Sequence, residues 1–409
     1  MTAPAQQQPT RLSPTELATF LALVQAQAAI RDRLTRTAVA GALAAFRGLP
    51  ADGWWDGDAI NNAIRQALRI VQPAQRQAAA TTDALMTRIA SQMGGRPVQP
   101  AGAVDITKLR RAIPDQVARD LVAGRRRPAF VVLGDTATRE PADTFRDRVP
   151  LAVRDHQVQQ FVDPATPYGR IADQYRSDIV TKGMPEEKAR EKALVRVGAV
   201  ASTDITLAVR EQYHKDLNLP ESQRRKATGW RRILHPELPT AASLEHGRPP
   251  PPVCGLCVVA ADRVYSTDQL KEIHADCRCE VLPVYGAFDP GLQLNRNDLD
   301  RLYGAAGGTG GNPLRQEGHL KDIRVALAEN AELGPILVDA DQHYRGPVDV
   351  ARKQLGRQDP VDSRRHQLEQ LERSIVGLRE RAARGEDVSR PLAWQSDRIE
   401  ELRRSLVSA

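Results

Sequence analysis

Aromatic side chains make up only 4% of this 409-residue chain, which also has just four cysteines and four methionines. So few rings fit a large β-sandwich poorly, and helices lined by alanine and leucine suit the composition better. Four thiols cannot staple a disulfide-dense secreted scaffold, and a chain of this length buries its own cores without cross-links. No stretch approaches the roughly 18 apolar residues of a membrane span. The opening residues, MTAPAQQQPTRLSPTEL, lack a basic segment followed by an apolar one. The expectation is a protein with no membrane partner, made and kept in a reducing cytoplasm. HExxH and GxSxG motifs are also missing. The glycine-rich LYGAAGGTGGNPLR at 302–315 has neither the GxxxxGK[ST] order nor a clean GxGxxG between a strand and a helix, so it is a poor phosphate cradle.

What the chain does have is arginine. The net charge of +7 comes mostly from arginine rather than lysine, which suits multidentate pairing with carboxylates and phosphates. Spread over this length the excess is modest, so a polyanion is a possible neighbour and not a defining ligand.

Hydrophobic periodicity divides the chain into six parts. Residues 1–12 read as a disordered lead-in. Residues 13–102 read as a helical N-terminal arm: Ser13-Pro14-Thr15-Glu16 resembles a capping box, and a second helix runs from about Asp58 to Met93 with Pro73 as a potential kink. Residues 103–235 are a mainly helical central region with one short strand expected in PAFVVLG (128–134) and a long helix in 185–217. Prolines and short β-prone pieces then mark 236–290 as a different kind of module, followed by a small α/β segment with the glycine loop at 291–355. A charged helical hairpin at 356–409 ends the chain, with Leu368, Leu371, Ile375 and Leu378 on a helical spacing. The fold class expected is α+β, predominantly α-helical.

All four cysteines fall inside one segment, CGLCVVAADRVYSTDQLKEIHADCRCEVLP at 254–283. Independent scatter would rarely do this, so the group calls for a joint role. Cys254 and Cys257 form a C-x2-C pair, and His274, Cys277 and Cys279 form H-x2-C-x-C sixteen residues later. Such spacing supplies the two halves of a tetrahedral zinc site, and a metal clip would replace a core that this proline-rich stretch cannot build. Five candidate ligands compete for four places. Either four thiolates bind and His274 orients the site, or His274 displaces Cys277 or Cys279. Cysteines packed in a core, or redox pairing, are the other readings of the spacing. A catalytic zinc would also need an inward-facing base, and Glu272 and Asp276 are the nearby carboxylates. Just upstream, Arg224, Arg225, Trp230, Arg231 and Arg232 form a basic cluster around an indole, a pattern able to contact nucleic acid or an acidic partner. The bland alternative is a solvated helix end or an arginine–carboxylate network.

Taken in order, GWRRILHPEL, CGLC, ADRVYS and IHADCRCEVLPV resemble the minor head proteins of tailed bacteriophages, the Mu F-like or head-morphogenesis family, and most closely its actinobacteriophage branch. The positions that carry the likeness are Cys254, Cys257, Asp262, Val264, Tyr265, His274, Cys277 and Cys279. The likeness spans about 100–340, with its specific motifs confined to 229–285. Downstream, the chain has Asn330-Ala331-Glu332 where a histidine-glycine-glutamate is more usual in that branch. The resemblance implies a structural, non-enzymatic protein inside the virion head. Its expected partners are the portal protein, the major capsid protein and packaged DNA. Two other classes stay open: a zinc-ribbon-like nucleic-acid-binding protein, and an enzyme such as an ADP-ribosyltransferase, suggested only by modules fused to relatives.

Overall fold

The structure is a computed structural model, and it describes residues 14–94, 98–126, 128, 130–132, 160–217, 219, 227, 229–234, 261, 264–265, 280–284, 289, 325–339, 346–355 and 360–407. These residues are predominantly helical, with short strands.

Three long helices build the body. α1 (Pro14–Arg47) begins with proline at the first helical position, where a missing N–H costs nothing. Its inward positions Phe20, Val24, Leu34, Ala38, Ala42 and Phe46 are buried, whereas Arg33, Thr37, Ala40 and Ala44 stay exposed. Gly48 and Pro50 end the helix, and a 3-10 turn at Asp52–Trp54 reverses the chain into α2 (Gly57–Gly94). α2 continues through Pro73 as one helix. Gly41 leaves room for Ile70 of α2, because a Cβ there would fall 2.6 Å from Ile70 Cδ1. Lower in the pair, Gln27 donates to the Thr82 hydroxyl at 3.1 Å.

A short helix α3 (Asp115–Val122) precedes α4 (Thr166–Val180) and the long α5 (Glu186–Leu217). α5 packs along both α1 and α2. The scarce aromatic residues gather where these helices meet. Trp54 lies 4.7 Å from Tyr175 between ring centroids, and Phe46 lies 5.8 Å from Trp54 and 6.2 Å from Tyr168. Trp54, Phe46 and Tyr168 are wholly buried. One continuous apolar core runs from α1 through α5 and into the strands described below.

The strands form three small antiparallel sheets. β1 (Arg111–Ala112) pairs with β3 (Gln160–Phe161), and β2 (Phe130–Val132) pairs with β7 (Val325–Asn330), which turns into β8 (Gly334–Asp339). Within the expected α/β segment, 325–339 is therefore a β-hairpin. In the third sheet β4 (Gly229–Ile233) is central, with β5 (Val264–Tyr265) on one side and β6 (Glu280–Val284) on the other. Pro283 sits in β6, an edge strand, where its missing N–H is tolerated.

α6 (Pro347–Leu355) packs on α3, and Gln354 donates to the Ile113 carbonyl at 2.9 Å. The chain then forms the hairpin α7 (Pro360–Ala383) and α8 (Ser389–Val407). Gly385 takes a positive φ of 86° in the turn, a conformation glycine adopts without a Cβ penalty. This hairpin docks on its own body: Trp394 lies 5.5 Å from Trp55, the Arg176 guanidinium lies over the Trp394 ring, and Arg390 pairs with Glu186.

Candidate functional site

The sequence motifs that carry chemistry meet the structure at the β5–β4–β6 sheet. β4 is buried along its whole length, and strand alternation sends Trp230 and Arg232 to one face, Arg231 and Ile233 to the other. On the first face the Arg232 guanidinium lies 5.4 Å from the centre of the Trp230 ring. On the second, Arg231 clasps Asp289, with Nε 2.8 Å from both carboxylate oxygens and Nη2 2.5 Å from Oδ2. Arg231 Nη1 also donates to the Ala261 carbonyl at 3.2 Å.

These contacts correct one sequence expectation. Trp230 is fully buried, and Arg231 and Arg232 are almost so, so these three side chains do not present a surface to nucleic acid or to an acidic partner. A β-strand inside a sheet, and not an exposed helix end, holds them. The arginine–carboxylate alternative is the one seen at Arg231. Arg224 and Arg225 lie outside the described residues.

Cys254, Cys257, His274, Cys277 and Cys279 also lie outside the described residues, as do Glu272 and Asp276. Their tethers are described, however. β5 and β6 are each antiparallel to β4, so they run in the same direction on opposite sides of it. In sequence, residues 266–279 join β5 to β6. That connection carries His274, Cys277 and Cys279. At its far end Glu280, next to Cys279, is in register with Ile233. On the other flank Ala261, four residues after Cys257, is held by Arg231. Arg231 and Ile233 are two residues apart on one strand, about 6.5 Å. The donors themselves, thiolates and an imidazole, fit zinc chemistry. Among the described residues no three His, Cys, Asp or Glu side chains converge as a metal site.

A buried ion pair fixes this sheet to the helical body. Arg31 of α1 meets Glu280 at 3.3 Å, with side-chain exposures of 5% and 0%. The Tyr213 hydroxyl of α5 lies in the same interior. Burial pushes it well above its ordinary pKa, and the nearby Glu280 carboxylate adds to the shift.

A second polar cluster was invisible in the sequence. Arg110 donates from Nε and Nη2 to Asp204 Oδ1, at 3.0 and 2.7 Å, and from Nη1 to Glu332 at 2.9 Å. The Tyr168 hydroxyl donates to Asp204 Oδ2 at 3.1 Å, and Arg170 reaches Glu332 at 2.6 Å. Burial raises the Asp204 pKa, although Arg110 and Tyr168 pull it the other way. Burial also works against the Arg110 charge, but the two carboxylates outweigh it and hold the guanidinium protonated.

Glu332 belongs to the Asn330-Ala331-Glu332 sequence, and the structure shows what this segment does. Asn330 Oδ1 accepts from the Glu332 and Leu333 backbone N–H groups, closing the β7–β8 turn. The Glu332 carboxylate then plugs the turn into Arg110 and Arg170. Residues 110, 168, 204 and 332 share no motif, so only the tertiary fold brings them together.

No family model, no curated protein and no solved structure matches the chain.

Proposed function

We propose that this chain is a structural minor head protein of a tailed bacteriophage, with a zinc-clamped module mounted on a helical body. It works inside the virion after synthesis in the host cytoplasm, and it contacts the portal protein, the major capsid protein and packaged DNA. One observation carries the reading. The ordered motifs of the family resemblance fall on one sheet: GWRRI is β4, the VY of ADRVYS is β5, and EVLPV is β6. A motif series held together by strand pairing behaves as one built unit. Four of Cys254, Cys257, His274, Cys277 and Cys279 would hold the zinc, and thiolate bonds would fix the segment that links β5 to β6 in sequence. The role assigned to the metal is structural, bracing a small surface against its partner.

Metal analysis of anaerobically purified wild type beside Cys257→Ser, together with incorporation into heads, tests this reading. One zinc per wild-type chain is expected. The variant should lose that zinc and fail to enter procapsids. Wild-type protein without stoichiometric metal removes the clamp, and purified heads lacking the protein remove the head assignment.

A further inference from the structure

α2 carries an unusual distribution of charge. From residue 59 to 82 it contains no aspartate or glutamate, and α1 contains none from 33 to 47. Within that span Arg65, Arg69 and Arg76 are all exposed. Spacings of four and seven residues return to nearly the same side of a helix, so the three form a stripe about 16 Å long at 1.5 Å per residue. Exposed Asn62, Gln66 and Gln77 flank it with neutral hydrogen-bond donors. None of the three arginines makes an ion pair or a side-chain hydrogen bond among the described residues. The α1 carboxylate of Asp32 is paired with Arg36 of the same helix at 2.8 Å.

We propose that this face of the α1–α2 hairpin binds the phosphate backbone of double-stranded DNA. A rigid row of guanidinium groups with amide neighbours is suited to phosphate contact, which positions a duplex without reading its sequence. Single strands are a poorer fit, because the rings of this hairpin, Phe20, Phe46, Trp54 and Trp55, are buried and offer no stacking platform. An acidic protein is also a poorer fit. Stable protein interfaces centre on buried aromatic or apolar anchors, and the stripe has only the partly exposed Ile70. The surface does not depend on the metal module.

Fluorescence anisotropy of the full chain with a short labelled DNA duplex, across a salt series, tests the proposal. The triple variant R65Q/R69Q/R76Q should lose about tenfold or more in affinity at low salt, and its log–log salt slope should fall by about 2 to 3 in magnitude. R65K/R69K/R76K should recover most of the binding, which excludes simple misfolding. Cys257→Ser should bind as wild type does, which separates this surface from the zinc reading. The proposal is overturned if wild type does not bind at low salt, if the glutamine variant keeps wild-type affinity and slope, or if the lysine variant fails to recover binding. It is equally overturned if Cys257→Ser abolishes binding, or if a single strand or polyglutamate binds as tightly as the duplex.

Discussion

Two helical hairpins in this molecule use arginine in opposite ways. In α7–α8 several cations have carboxylate partners: Arg381 and Arg384 meet Glu386, Arg398 meets Glu401, and Arg403 of α8 crosses to Glu372 of α7. In α1–α2 the exposed arginines of the α2 stripe stand where the helices carry no carboxylate, and the one fully buried arginine, Arg31, reaches out of the hairpin to Glu280. The interiors differ as well. α1–α2 closes on a ring cluster and also buries Gln27 against Thr82, whereas α7–α8 places Gln395 inside, donating to the Leu371 carbonyl and to Ser374 Oγ. Arginine content alone therefore says little about role. What counts is whether the same helical neighbourhood supplies an acid.

The comparison can be broken at its largest difference first. Phe46→Ala should destabilise the protein by about 3 to 5 kcal/mol, since it opens a cavity in the ring cluster, and chemical denaturation reads this directly. Should Leu378→Ala in α7–α8 cost more, the idea that the core is centred on α1–α2 is wrong. Next, Arg31→Ala leaves Glu280 charged and enclosed, and a loss of about 3 kcal/mol is expected. The double replacement Arg31→Met with Glu280→Gln should restore much of that stability. If the single and double variants melt alike, the pair does not join the helices to the sheet. The smallest effect sharpens the contrast: Arg403→Ala, at a pair more than one-third exposed on both sides, should change stability by about 0.5 kcal/mol or less and less still in high salt.

Much of the helical architecture was legible because it rests on local rules. Apolar spacing located α1, α2, α5, α7 and α8, and Pro14, Gly48 and Gly385 are the residue types that such helix boundaries favour. Short strands were harder to read. The strand expected in PAFVVLG is there as β2, but the Asn330-closed hairpin at 325–339 was not read from the sequence, because β pairing depends on a partner far away in the chain. The candidate site was half legible. Spacing grouped the five Cys and His residues into one segment, yet GWRR looked like an exposed basic patch, because a sequence does not show that Asp289 and Ala261 will enclose Arg231.

By itself the sequence determined where helices form, which residues share the Cys/His segment, and where along α1 and α2 the acids are missing, since each depends on neighbours a few positions apart. Only the tertiary structure decided which arginines are buried and paired, that Arg110, Tyr168, Asp204 and Glu332 meet, and that both flanks of the cysteine segment return to β4. Those outcomes follow from desolvation and strand pairing between distant residues, and no local spacing encodes them.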